Sequence, residues 1–321
     1  MDVLTLTNAA DAPFLNQQQA ALERRGVRFE TLSVAGDAIG ENARGPLEYL
    51  RFFRTVRHEL RRGSYDLIHA HYGLTAPMAL AQRRVPVVCS LWGSDVHGPV
   101  APVSRTCAPF CDAVIVMSEA MADALGRACR VIPDGVDLET FRPGSQAAAR
   151  DRVGWPTDEH AVLFPYAPDR SVKNYPRAKR IVDRVDSRLE RPVSLRTISG
   201  VDHDEMPHYM NAADALLLTS HSEGSPNAVK EAMACDLPIV SVDVGDVRER
   251  LEGVSPSCVA DADDVLVDEL ASILESGARS NGRRAAREVS LERTTDAVLE
   301  VYESVTGLER VDQRRTRVTR S

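Results

Sequence analysis

Short apolar runs alternating with helical patterns along almost the whole of its 321 residues constrain this chain most. The runs are Val3–Thr7, Arg28–Val34, Asp66–Ala70, Val85–Leu91, Ala113–Met117 and Arg130–Ile132, then Ala161–Tyr166, Val193–Ile198, Ala215–Thr219, Pro238–Val242 and Ser257–Val259. Helical periodicity falls between them, at Phe14–Arg25, Leu47–Arg62, Ser118–Leu125, Tyr175–Arg188 and Pro226–Cys235. Strands rich in Val, Ile and Leu, separated by helices, predict an α/β chain with parallel sheets covered on both faces. So many strands exceed one comfortable doubly wound sheet.

The pattern breaks at Pro133–Trp155, which holds glycines, prolines and no strand pattern. We read it as a linker between a first domain of residues 1–140 and a second of residues 145–290. Helical periodicity over residues 262–276, 279–288 and 291–305 follows without a strand, and the last of these helices is free to pack back on the first domain. The tail over residues 309–321 is polar and basic and is expected to be disordered. Ligands of open α/β sheets sit at the carboxyl ends of strands, so the loops after strands carry the search for chemistry.

Composition excludes several classes. There is no apolar run of about 18 residues, and the start, MDVLTLTN, lacks a basic leader region. A cytoplasmic location is the resulting expectation. The net charge of −8 argues against general nucleic-acid binding. The six cysteines form no CxxC pair, so reduced thiols are expected rather than a zinc site. Lys173, Lys179 and Lys230 are the only lysines among 39 basic residues, which makes each of them informative.

The stretch TSHSEGSPNAVKEAMACDLPIV, from Thr219 to Val240, concentrates the polar chemistry. Glu223 falls in the loop after a strand, Ser225 and Pro226 have the character of an N-cap and first helical residue, and Glu231 falls in the second helical turn. Gly224 permits close backbone approach. Free N–H groups at a helix start suit a phosphate, and each carboxylate can accept hydrogen bonds from a pair of adjacent hydroxyls. Sugars and riboses carry such pairs. A solvated loop acid and a surface helix acid remain the alternative reading of the same spacing.

SEGSPNAVKEAMACDLPIV resembles the glutamate–seven residues–glutamate motif of glycosyltransferase family 4, retaining enzymes of the GT-B fold, in which two Rossmann-like domains face a central cleft. The resemblance extends through DLIHAHYGLTAPMAL (Asp66–Leu80), VPVVCSLWGSDVHG (Val85–Gly98), VIVMSEAMADAL (Val114–Leu125), VIPDGVDLETFRP (Val131–Pro143), RSVKNY (Arg170–Tyr175), MNAADALLLTS (Met210–Ser220) and VSVDVGDVRE (Val240–Glu249). It implies an acceptor domain first and a nucleotide-sugar domain second. It implies that Glu231 binds the ribose, Glu223 the transferred sugar, backbone at Gly224, Ser225, Pro226 and Asn227 the sugar and diphosphate, and Lys173 the diphosphate. The co-substrate is then a nucleotide-diphosphate sugar of UDP or GDP type, with no metal and no further cofactor, and the acceptor a glycan or lipid-linked hydroxyl.

Departures from that pattern are specific. Ala167 and Pro168 stand where the family carries an arginine, leaving Arg170 as the local substitute. NAADAP (Asn8–Pro13) lacks the family's glycines. Trp92 replaces a histidine before Gly93; it can stack on a sugar ring but cannot shuttle a proton, so the acceptor-side candidates are Trp92, Ser94, His97, His69 and His71, with Asp95 as the candidate catalytic group. Asp202-His203-Asp204 and Asp261-Ala262-Asp263 are read as caps with Asp204 and the second triplet preceding helices, not as metal ligands. Arg51, Arg54, Arg57, Arg61 and Arg62 form a basic face beside an apolar stripe of Leu50, Phe53, Val56 and Leu60, which suits either solvent or peripheral contact with an anionic membrane. A nucleotide-sugar epimerase of the same fold and a non-catalytic partner subunit are the competing readings.

Overall fold

The computed structural model describes residues 1–36 and 44–308. The basic tail from residue 309 lies outside the described residues. All eleven expected strands form: β1 Asp2–Thr7, β2 Arg28–Ser33, β3 Leu67–His71, β4 Val87–Ser90, β5 Ala113–Val116, β6 Arg130–Val131, β7 His160–Phe164, β8 Val193–Thr197, β9 Ala215–Leu218, β10 Ile239–Ser241 and β11 Ser257–Val259. They make two sheets, ordered β2-β1-β3-β4-β5-β6 and β11-β10-β9-β7-β8. Every pairing between these strands is parallel.

The chain divides into two compact units. The first holds residues 1–116, 125–132 and 295 onward; the second holds 117–124 and 133–294. The main segment of the second unit thus begins at Pro133, ahead of the expected residue 145, and residues 117–124 also belong to that unit. The expected linker is shorter than its composition implied, because Gln146–Val153 is a helix capped by the Ser145 hydroxyl, which accepts from Ala148 N–H. The last helix, Leu291–Thr306, runs on into the first unit, where Tyr302 OH lies 2.6 Å from His69 Nδ1.

Burial follows from the strand sequences. Ala215, Leu216, Leu217 and Leu218 of β9 are all buried. Leu216 and Leu218 meet the helices Asn227–Ala234 and Gly282–Ala286 on one face; Ala215 and Leu217 meet Tyr175–Asp186 and Asp263–Ser276 on the other. A strand apolar at every position is what a sheet covered on both faces needs, and each buried leucine contributes about 1.5–3 kcal/mol.

In each sheet the strand order reverses direction once. The reversal lies between β1 and β3 in the first sheet and between β7 and β9 in the second. Loops leaving the carboxyl ends of these strand pairs diverge and leave a crevice for a ligand. The loop after β7 carries Lys173, the loop after β9 carries Glu223, and β3 ends at His71.

Candidate functional site

In the second unit, the Lys173 ammonium lies 2.5 Å from Glu223 Oε1 and 3.8 Å from the centre of the Tyr166 ring. Both side chains of the pair are largely enclosed, at 8% and 12% exposure. The loop that carries Lys173 is tied to β9: the Thr219 hydroxyl donates to the carbonyls of Lys173 and Asn174, and His221 N–H donates to Val172 O. Asn174 takes a left-handed conformation, φ 56°, which turns the chain into the next helix. Burial pushes the Lys173 ammonium below its ordinary value, and the neighbouring Glu223 carboxylate opposes that shift. Arg170 is exposed, with its guanidinium carbon 5.9 Å from the same Tyr166 ring.

Glu231 stands on the helix Asn227–Ala234, one turn and a half in, and is 13% exposed. Its Oε1 lies 3.2 Å from His203 Nε2. Burial raises its carboxyl to about 7, against a weaker opposing pull from Lys230. Tyr166 feels both glutamates, and its hydroxyl is pushed well up by burial and by those two charges. The structure therefore groups Lys173, Arg170, Glu223 and Glu231 around one tyrosine at the β7/β9 reversal.

Three local expectations are corrected. The helix starts at Asn227, so Pro226 occupies the N-cap position and Ser225 caps nothing. The Ser225 hydroxyl instead donates to Asp246 Oδ2 at 2.8 Å and lies 3.1 Å from Lys230 Nζ. Asp204 lies inside a 3-10 turn, His203–Glu205, and the helix Met206–Ala212 that follows has Glu205 at its N-cap. In the second triplet Ala262 is the N-cap, Asp261 Oδ1 accepts from Asp243 N–H, and Asp263 pairs with Arg177. Short polar residues before a helix signal a cap only when their hydroxyl or carboxylate has no stronger tertiary partner.

Beneath the 223–227 loop lies a buried polar layer whose parts are far apart in sequence. Lys230 is fully buried, and its charge is set against Asp134 and Asp246. Asp246 also accepts from Arg250 Nε at 3.0 Å, and Asn227 Nδ2 donates to Asp134 at 3.5 Å. A Cβ on Gly245 would fall 2.7 Å from Gly224 O, so this glycine permits the two loops to touch. Tyr166, His203, Asp134 and Asp246 were not legible as site residues. Lys230 carried one signal, its rarity in an arginine-rich chain.

In the first unit, the loop after β4 is built on Asp95. Its Oδ1 accepts from Trp92 N–H at 2.7 Å and Gly93 N–H at 3.1 Å, and its Oδ2 from Gly73 N–H at 3.1 Å. Asp95 is 0% exposed. Burial raises its carboxyl while the amides pull it down. Trp92 packs between Phe14, with ring centres 4.6 Å apart, and His71, stacked at 5.6 Å. His71 is buried and its imidazole falls to about 3, so it is neutral. His69 lies between Tyr302 OH and Ser90 Oγ and is likewise held neutral by burial. Ser94 and His97 are exposed on the short helix Ser94–His97, and the Tyr72 hydroxyl hydrogen-bonds Ser94. Tyr72 itself has φ 87°, a conformation rare for a bulky side chain.

The basic helix is Pro46–Arg62, with Arg51, Arg54, Arg57, Arg61 and Arg62 all exposed. Its phase differs from the expectation: Phe52 and Val56 are the buried residues, whereas Leu47 and Leu50 are 64% and 48% exposed. No helix among the described residues is long and apolar enough to cross a membrane.

Comparison with known proteins bears on the family and the fold. Residues 10–140 match the family model described as Glycosyltransferase Family 4, and residues 175–276 match that of Glycosyl transferases group 1. The chain is 30% identical to a D-inositol 3-phosphate glycosyltransferase of Saccharomonospora viridis, over 75% of this chain and 70% of that protein. It is 26% identical to the protein of the same name from Xylanimonas cellulosilytica, over 78% and 75%. Among solved structures, a sucrose-phosphate synthase from Thermosynechococcus elongatus superposes with TM-score 0.74 at 18% identity, covering 96% of this chain and 99% of that one. Anabaena HepE in complex with UDP-glucose superposes with TM-score 0.69 at 17% identity, covering 95% and 100%. The fold is GT-B, and the chain belongs to glycosyltransferase family 4.

Proposed function

We propose that the protein is a retaining, metal-independent glycosyltransferase that takes its sugar from a nucleotide-diphosphate sugar and passes it to a hydroxyl acceptor. The observation that carries this reading is the Lys173–Glu223 pair on the Tyr166 ring, with Glu231 on the neighbouring helix at the β7/β9 reversal. Lys173 and Arg170 bring positive charge to the diphosphate. Glu231 accepts from ribose hydroxyls and Glu223 from hydroxyls of the sugar. In this structure Glu223 and Lys173 satisfy each other, so donor binding exchanges one ion pair for two ligand contacts. The HepE structure with UDP-glucose supports a donor of UDP type.

The reaction asks little covalent work of the protein. The acceptor hydroxyl attacks the anomeric carbon on the face from which the diphosphate departs. The bond from that carbon to the phosphate oxygen breaks, its electron pair stays on the diphosphate, and the diphosphate takes the acceptor's proton. Lys173 stabilises the growing negative charge in an enclosed site, where a fixed cation counts for more than in water. No base is required from the first unit, which fits a neutral buried His71 and an Asp95 occupied by amides. Lys230, through Ser225, and Asp246 position the 223–227 loop.

Calorimetric titration with UDP, GDP and ADP tests the donor site, with Lys173→Ala and Glu231→Ala alongside. We expect one nucleotide to bind near micromolar, about −8 kcal/mol, and both variants to lose at least tenfold. Equal binding by all three proteins removes the donor site from these residues. A following screen with EDTA present, including D-inositol 3-phosphate among the acceptors, reports metal dependence and acceptor class together. The exposed Leu47 and Leu50 on the arginine face favour a peripheral membrane contact as well; Leu47→Ser with Leu50→Ser is expected to reduce flotation with anionic vesicles, and unchanged flotation removes that contact.

A further inference from the structure

We propose that the first unit carries a second ligand site, an arginine-lined pocket that takes the phosphate group of a small phosphorylated molecule or of a lipid headgroup. The pocket has a volume of about 410 Å³ and gathers Arg57 and Arg61 from the helix Pro46–Arg62, and Arg83 and Arg84 from the turn before β4. No carboxylate lines it. None of the four guanidinium groups has a carboxylate partner among the described residues. Glu59, between Arg57 and Arg61 on the same helix, is engaged by the Tyr65 hydroxyl, which donates to it at 2.6 Å.

The frame of the pocket is built rather than incidental. Gln82 Oε1 accepts from Arg84 N–H at 2.6 Å and Val85 N–H at 3.1 Å, and Gln82 Nε2 donates to Val85 O at 2.9 Å. These bonds hold the Arg83–Arg84 turn in one shape. Tyr65 closes the wall against Gly63, where a Cβ would fall 2.5 Å from the ring. Four arginines line one concave space in a chain of net charge −8, and such a local excess of like charge favours an anion. Planar guanidinium forks match phosphate oxygens in pairs.

The location separates this pocket from the sugar chemistry. Arg57 and Arg61 lie at the end of one helix, and Met78 and Ala81 at the end of Ala76–Leu80, with Val85 just before β4 begins. This is the amino edge of the first sheet, opposite the strand ends that carry Trp92 and Asp95. The site therefore stands whether or not the donor assignment holds. A phosphate bound here anchors or tunes the enzyme rather than reacting.

The test measures binding of glycerol 3-phosphate by calorimetry, and of phosphatidylcholine vesicles with and without phosphatidylglycerol by flotation, at low salt. Arg83→Ala with Arg84→Ala, and Arg57→Ala with Arg61→Ala, are compared with Arg24→Ala, an exposed arginine remote in sequence. Each pocket pair is expected to weaken one probe tenfold or more, with Arg24→Ala within twofold of wild type. Loss confined to glycerol 3-phosphate assigns a soluble phosphate; loss confined to the anionic vesicles assigns a headgroup. Absence of binding to both probes, or equal binding by the pocket variants, overturns the proposal. So does vesicle binding abolished by Leu47→Ser with Leu50→Ser but untouched by Arg83→Ala with Arg84→Ala. All substituted arginines are on the surface, and matching thermal melts confirm that each variant is folded.

Discussion

Glu223 and Asp95 occupy comparable places, each on a loop leaving the carboxyl end of a parallel strand, yet their surroundings differ completely. Glu223 is 12% exposed and meets a side-chain partner, the Lys173 ammonium. Asp95 is fully buried and meets three main-chain N–H groups. A side-chain partner can turn away when a ligand arrives. Main-chain amides are the loop itself, so a carboxylate that holds them has its lone pairs committed to local shape. The comparison teaches that a carboxylate's availability depends on the kind of partner it has, more than on its place after a strand.

The largest expected effects fall on the exchangeable pair. Glu223→Ala and Lys173→Ala should each lower kcat by about 100-fold or more, the size seen when one preorganised charge stabiliser is removed. Steady-state kinetics with the donor found in the nucleotide screen checks this, and near-normal kcat for both would break the comparison from the Glu223 side. Asp95→Ala should act on stability instead, lowering it by about 3 kcal/mol through unpaired buried amides, with nucleotide affinity kept. A thermal melt reads that loss. Asp95→Asn with an unchanged melt and abolished turnover would make Asp95 a chemical group and break the comparison from the other side.

Lys230→Met sharpens it at the layer beneath. Removing the buried cation leaves Asp134 and Asp246 without it, and the donor KM is expected to rise about tenfold, while kcat stays within a few-fold. A change confined to kcat would place Lys230 at the reacting atoms. Smaller still is a pH effect. The Glu231 carboxyl titrates at about 7 in the folded chain, against its ordinary 4.5, so across that window the unfolded chain has given up a proton that the folded chain keeps. Stability therefore falls as pH rises through the window. Nucleotide affinity runs the other way, strengthening as the carboxylate ionises to accept ribose hydroxyls, with His203, Tyr166 and Lys230 as its charged and titratable neighbours. Glu231→Gln should flatten both profiles, and an unaltered profile assigns them to another group. The smallest effect is expected from Asp202→Ala with Asp204→Ala, within twofold of wild type in EDTA, since both are exposed on a turn whose His203 faces Glu231.

Much of this architecture is legible before folding is considered. The strand at Ala215–Leu218 is apolar at each position because helices cover both faces, and that pattern survives in any alignment-free reading. Lys173 was legible through the rarity of lysine in this chain and through the family resemblance, and Glu223 through its place after a strand, eight residues before Glu231, together with the same resemblance. The serine at 225 misled because its cap-like context is local, whereas its hydroxyl is taken by Asp246, 21 residues on. The arginine helix misled by phase. Phe52 and Val56 are buried and Leu50 is exposed, a choice made by tertiary packing, which periodicity alone leaves open by a residue or so.

What the amino-acid order determined by itself is the set of local elements: eleven strands, the helices between them, a glutamate and a lysine on loops after strands, and a second glutamate just inside a helix. Those follow from side-chain periodicity and backbone preference, which act over a few residues. Only the tertiary structure decided which groups meet. It put Lys173 against Glu223, 50 residues away, His203 against Glu231, and Gly73 N–H on Asp95. Strand order sets those meetings: β7 beside β9 brings the Lys173 loop to the Glu223 loop, and β3 beside β4 brings Gly73 to Asp95. Burial then sets their charge, and burial is a property of the packed chain.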